Sequence, residues 1–379
     1  MLQFARFWQK NKTNPFYACS TFATHKQATM EEAKARRIVG NWIFIGVAML
    51  IIQVLLGGIT RLTGSGLSIT EWKPIMGALP PMTEGQWQKA FDQYQQIAQY
   101  KYLNNHFSLG DFKFIFFWEW FHRLWARFIG IVFLIPFIWF LVKKYFQAWM
   151  IGPLVSLFLL GALQGALGWI MVKSGLNDAD LYVNHIRLAI HFLAAMLLIG
   201  YALIFGMSIR TERHDLVANS SLKQQLIWLI LLLCVQLMYG AFMAGLKAAN
   251  TAPTWPDING SLYPANSITD LSSIFHNKFA IHFIHRTLAY ILGIWIIIWW
   301  WKAKQVHGSP LFNRIKSWPL YLVLLQIALG IASVLTSPNI VLGNFGAFEW
   351  MAQLHQLTGM LLLMALLALS YILRRKPVF

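Results

Sequence analysis

The sequence predicts an all-α integral membrane protein whose eight transmembrane helices form two pseudo-symmetric four-helix bundles. Three observations predict it. The chain of 379 residues is 57% hydrophobic and only 12% charged, too apolar for a water-soluble domain. It holds eight apolar runs of near-spanning length, at roughly 40–58, 114–142, 151–172, 186–207, 224–246, 279–301, 318–335 and 350–373. The first four runs also resemble the last four, in order.

The resemblance is local and specific. Gln53-Val54-Leu55-Leu56-Gly57-Gly58 in the first run matches Gln236-Leu237-Met238-Tyr239-Gly240-Ala241 in the fifth. His122-Arg123 matches His285-Arg286, and Leu163-Gln164-Gly165-Ala166-Leu167-Gly168 matches Leu325-Gln326-Ile327-Ala328-Leu329-Gly330. Leu188-Ala189-Ile190-His191 matches Ala352-Gln353-Leu354-His355. The last three pairs are offset by 163, 162 and 164 residues, and the first pair by 183. The first half therefore carries about twenty extra residues after its first helix. An even number of spans per half gives both halves the same orientation, about an axis along the membrane normal. The expected division is a tail over 1–38, a bundle over 39–210 with an outer loop at about 59–113, a linker over 211–223, and a bundle over 224–379.

The tail is basic, has no acid before Glu31, and lacks the apolar core of a signal peptide. It reads as a cytoplasmic tail rather than a mitochondrial presequence, because arginine is sparse. The net charge of +17 is topological. Most basic residues fall in the tail, in the loops at Lys143-Lys144, Arg210–Lys223 and Lys302–Lys316, and in Arg374-Arg375-Lys376. The positive-inside rule puts these, and both termini, in the cytoplasm, or in the matrix if the protein is mitochondrial. This argues against nucleic acid as a partner. Cys19 and Cys234 lie in different settings, so neither a disulfide framework nor a thiolate metal site is expected.

In the first outer loop, Gly57 to Ser68 is glycine-rich but has no Walker spacing and follows no strand, so it carries no nucleotide reading. Thr83 with Gln86 resembles a capping box. Trp87, Phe91, Tyr94 and Ala98 then recur at helical spacing, as expected for an amphipathic lid without chemistry of its own. Trp299, Trp300, Trp301 and Lys302 read as an interfacial anchor. Trp118, Trp120 and Trp125 read as the same on the outside, or as the wall of a pocket.

The second run opens with a carboxylate, an imidazole and two guanidinium groups: Glu119, His122, Arg123 and Arg127. Such groups in a membrane helix face a bundle interior, a ligand or each other. His122, His191, His285 and His355 all fall in the first turns of helices that enter from the outer side, so they share one depth. Two facing imidazoles per bundle are a common way to hold a flat haem. Zinc would ask for more ligands at closer spacing. A proton path, or plain packing histidines, are the competing readings. His282 takes the place in the second bundle that Glu119 holds in the first. It is an alternative ligand, but the repeat register favours His285. His185, His276 and His106 show no readable partner.

Only the first bundle has a carboxylate one turn before its histidine. Such a carboxylate can take a proton or stabilise developing positive charge. Chemistry is therefore expected in the N-terminal bundle and electron transfer in the C-terminal one. The bland alternative is an i,i+4 ion pair of Glu119 with Arg123. Arg61, Arg123, Arg127, Arg187 and Arg286 are candidates for haem propionates.

The segments Gly57 to Ser68, Glu71-Trp72-Lys73-Pro74, Glu119-Trp120-Phe121-His122-Arg123 and Gly168 to Leu176 resemble haem A synthase, in the branch found in mitochondria and many Gram-negative bacteria. The similarity covers nearly all of the chain after residue 38. Some bacterial members carry a cysteine pair in outer loops, which this chain lacks there. The resemblance implies oxidation of a ring methyl of haem O to a formyl group, giving haem A for cytochrome c oxidase. Two hydroxylations would give a geminal diol that loses water. It also implies substrate haem at His122 and His191, a haem b cofactor at His285 and His355, and an essential glutamate at Glu119. The partners implied are a haem O synthase that supplies the substrate, a membrane electron donor and the lipid bilayer, with a homo-oligomer as a further expectation. The implied location is the bacterial inner membrane, or the mitochondrial inner membrane. Two rival readings stay open: a two-haem cytochrome b electron carrier or quinol oxidoreductase using the same histidines, and a transporter built from parallel repeats, which would bind no haem.

Overall fold

The computed structural model describes residues 15–72, 76–340 and 345–374, with side chains undescribed for 15–30 and 76. Among the described residues, eight helices are long and apolar enough to cross a membrane. They are α1 (Pro15–Leu62), α2 (Leu109–Val142), α3 (Ala148–Lys173), α4 (His185–Arg210), α5 (Ser220–Gly245), α6 (Lys278–Lys304), α7 (Trp318–Thr336) and α8 (Ala347–Ile372). The protein is an all-α multi-pass membrane protein. Helices satisfy every backbone group within the segment, which lipid requires. All of these helices but α7 begin before their apolar runs, and in several the start is a capping residue outside the hydrophobic stretch. Ser108 and Asp111 form a capping box on α2, and Asn184, Asn219 and Asn277 cap α4, α5 and α6. The first helix continues back to Pro15, through much of the expected tail.

In the first half α1 packs against α2 and α4, and α3 packs against α4. In the second half α5 packs against α6 and α8, and α7 against α8. The halves meet where α4 packs on α5, and α8 on α4 and α1. This puts α4 and α8 in the centre and leaves α2, α3, α6 and α7 as outer helices. The main apolar core runs through the centre, from Trp42 and Val47 through Met196 and Leu229 to Leu366, with smaller clusters under the outer loop and around Tyr239 and Phe242. Gln353 and Gln356 of α8 donate to the Leu55 and Val54 carbonyls of α1 at 3.3 and 3.2 Å, which ties the halves together.

Two local expectations meet the structure directly. Thr83 caps the helix Glu84–Tyr94 in the predicted capping box, and its Trp87, Phe91 and Tyr94 pack on Phe112 and Phe116 of α2. The tryptophan anchor is corrected: Trp299 is fully buried and donates to the Leu222 carbonyl, Trp300 donates to Ser317, and Trp301 is exposed. Consecutive residues turn through about 100° on a helix, so three tryptophans in a row cannot all face the interface. Trp120 and Trp125 donate to the Ala78 and Met49 carbonyls, and neither they nor Trp118 line the cavity that the histidines share.

Candidate functional site

His122, His191, His285 and His355 line one cavity of about 1310 Å³ that spans both halves. That exceeds the ~300–1,000 Å³ of an ordinary single-ligand pocket, leaving room for two large ligands. Each imidazole faces a glycine on the preceding helix. A Cβ at Gly57 would lie 3.2 Å from His122, at Gly168 2.9 Å from His191, at Gly240 3.3 Å from His285, and at Gly330 2.9 Å from His355. A side chain at Gly168 or Gly330 would force the facing ring to shift, and one at Gly57 or Gly240 would press on it more lightly.

Four residues before each glycine stands a glutamine, and it reaches the same histidine. Gln53 donates to the His122 carbonyl (3.2 Å) and Gln164 to the His191 carbonyl (3.0 Å). The amide nitrogens of Gln236 and Gln326 lie 3.4 and 3.2 Å from Nε2 of His285 and His355. Nδ1 of His355 is 2.9 Å from the Gln326 carbonyl, the contact by which a ligand histidine is usually oriented. The sequence signal was present, since all four glutamines sit in the repeated segments, but no polar partner could be assigned to them without the fold.

The His285 and His355 ring centres are 6.3 Å apart, with planes at 74°. Two metal–imidazole bonds of about 2 Å, with ring centres a further ~1.1 Å back, put axial imidazoles about 6 Å apart. The donor set and its spacing fit a haem. His122 and His191 line the same cavity, beside Gly57 and Gly168 respectively.

Glu119 is 2% exposed and held by three donors. Ser68 Oγ (2.7 Å) and the Ile69 amide (2.8 Å) donate to Oε2, and Arg123 donates to Oε1 (2.6 Å). The expected i,i+4 pair is therefore formed, and the loop after α1 completes the carboxylate's surroundings. His282 is fully buried, with Nε2 2.8 Å from the Ala248 carbonyl. His185 contacts the Phe275 carbonyl at 2.9 Å.

Of the five arginines, Arg61, Arg123, Arg127 and Arg286 line the cavity. Arg61 lies near Glu349 of α8, and Arg286 donates to the Asp257 and Ala252 carbonyls. Arg187 is exposed, donates to the Ile170 carbonyl and does not line this cavity. Lys247, just beyond α5, was not singled out by sequence. It lines the cavity 3.9 Å from the Tyr182 ring, and burial together with Arg61 lowers its ammonium to about 8.

The family model described as cytochrome oxidase assembly protein matches residues 40–367. The chain belongs to that family. Similar family members include a protein from Rhodospirillum centenum, 39% identical over 80% of this chain and 82% of its own length. One from Novosphingobium aromaticivorans is 39% identical over 86% of this chain and 92% of its length. One from Flavobacterium johnsoniae is 34% identical over 90% and 98%. All three are named heme A synthase. The matched region contains the four histidines, their four glutamine–glycine pairs and Glu119.

Proposed function

We propose that this protein is a haem A synthase, a membrane oxidoreductase that converts the ring methyl of haem O to the formyl group of haem A. The observation that carries the reading is an asymmetry: two matched histidine pairs line one cavity, and among the described residues the pair on α2 and α4 has a buried carboxylate one turn before its histidine, whereas the buried Glu349 stands six residues before His355. Family membership supports the same reading.

In this proposal 39–210 is the substrate bundle and 224–379 the cofactor bundle. His122 and His191 bind haem O, and His285 and His355 hold haem b. Bound there, haem b supplies one-electron redox chemistry. The chain's own residues do the rest. The four glycines admit the imidazoles, Gln53 and Gln164 donate to the His122 and His191 carbonyls, and the Gln326 carbonyl orients the His355 ring. Ser68, Ile69 and Arg123 fix the Glu119 carboxylate toward the cavity, where it accepts a proton or stabilises positive charge at the reacting methyl. Arg61, Arg123, Arg127 and Arg286 offer cations to the propionates. The protein would lie in an inner membrane with both termini on the cytoplasmic or matrix side and take substrate from a haem O synthase; each hydroxylation would use an external oxidant of the dioxygen class, whose second oxygen atom leaves as water with two electrons from a membrane donor.

The test is haem extraction and chromatography on purified protein, with a visible spectrum. Haem b together with haem O or haem A is expected. Haem b alone, after co-expression with a haem O source, would instead identify a two-haem electron carrier.

A further inference from the structure

The internal repeat exposes one place where the halves differ in packing. In the C-terminal half α6 and α7 pack against each other. A Cβ at Gly293 of α6 would come within 3.1 Å of Ile327 Cδ1 on α7, and Val323, one turn earlier on α7, is 2% exposed. The equivalent helices α2 and α3 are not packed along their length. The rings of Phe133 and Phe158 stack 6.5 Å apart at one level, and above it the helices part.

The repeat offsets explain why. They carry Gly293 to Gly130, and carry Val323 and Ile327 to Gly161 and Gly165. A Cβ at Gly130, Gly161 or Gly165 would meet no atom within 4 Å, and all three glycines are exposed. Glycines on membrane helices ordinarily let two helices close on each other. Here the glycines of both helices look into an open gap instead. All three also line the cavity that reaches His122, His191 and Glu119. The gap is thus a side opening of the histidine cavity onto the apolar flank.

We propose that the gap between α2 and α3 is a lateral port through which the substrate haem passes from the bilayer, and that its isoprenoid tail rests in the glycine slot. The proposal rests on the haem O reading above. A farnesyl-derived tail gains about 0.8 kcal/mol per buried CH₂ in lipid, so a tailed haem resides in the bilayer and approaches sideways. Haem b has no such tail, and the half assigned to it is sealed by Val323 and Ile327. The tail also supplies the apolar surface that the two missing side chains leave out of the α2–α3 seam.

The test copies the sealed half into the open one. Gly161→Val with Gly165→Ile should leave the haem b content and spectrum unchanged. Its uptake of haem O from phospholipid vesicles should fall at least about tenfold, the factor given by ~1.4 kcal/mol of lost binding. Haem O uptake by this variant at the wild-type rate, with haem b retained, overturns the port and leaves the proposed function standing. A wild-type protein that retains haem b but takes up no haem O overturns the proposed function, and the port with it. A second route does not depend on how well the bulky variant folds. Gly130→Cys with Gly165→Cys, bridged by a reducible bifunctional thiol reagent, should block uptake, and reduction should restore it. Uptake undiminished by the bridge counts against the port.

Discussion

The four glycines facing the histidines allow a double test of the site. A Cβ at Gly330 would sit 2.9 Å from His355 Cε1, and one at Gly168 2.9 Å from His191 Cε1. Carbon atoms settle at about 3.5 Å, so each ring must back off by roughly 0.6 Å. Overpacking of this kind costs about 1–3 kcal/mol, which corresponds to roughly a 5- to 150-fold loss of haem affinity. Alanine in a helix interior is otherwise about 1 kcal/mol better than glycine, so a loss cannot be blamed on the helix. Gly330→Ala should lower haem b without touching bound haem O, and Gly168→Ala should do the reverse. Gly240→Ala and Gly57→Ala, at 3.3 and 3.2 Å, should be milder. The assay is extraction and chromatography of both haems from each purified variant, with visible spectra. A Gly330→Ala protein with full haem b and an unaltered spectrum would refute the assignment of His355 as a ligand.

Three further outcomes follow from named contacts. Glu119→Gln keeps the shape of the carboxylate, so haem content should hold while haem A formation falls about a hundredfold or more; unchanged turnover in membranes supplied with haem O would remove Glu119 from the chemistry. His282→Ala should cost about 1–3 kcal/mol, because the Ala248 carbonyl loses its partner, yet keep haem b, whereas His285→Ala should lose it; the opposite pattern in a pyridine haemochrome assay would exchange their roles. Lys247 is lowered in the fold to about 8 from the 10.5 of a free lysine, by burial first and Arg61 second. The unfolded chain then binds more protons between these values, so stability should rise with pH across that window. Lys247→Met should flatten this rise in Tm, and an identical pH profile in wild type and variant would contradict it.

The candidate site was legible to different depths. The histidines stood out because an ionisable group in an apolar run demands an explanation, and the repeat set them in pairs. The Glu119–Arg123 pair was legible because both residues lie on one helix face. Ser68 and Ile69 as partners of Glu119 were not, since they arrive from a loop about fifty residues earlier. The glutamines were visible as repeated letters, but their role appeared only when α1, α3, α5 and α7 were set beside the histidine helices. Trp299 was misread because composition near a helix end cannot say which way one side chain turns.

By itself the sequence determined the eight apolar spans, their helical state and the repeat. These follow from the length of apolar runs and from backbone groups that lipid cannot hydrogen-bond, both properties of a single segment. The tertiary structure alone decided that both histidine pairs share one cavity, that α4 and α8 form the centre, and that α2 and α3 stand apart where α6 and α7 close. Those facts depend on side chains from distant segments meeting, as Gly293 meets Ile327, or failing to meet, as Gly130 and Gly165 do.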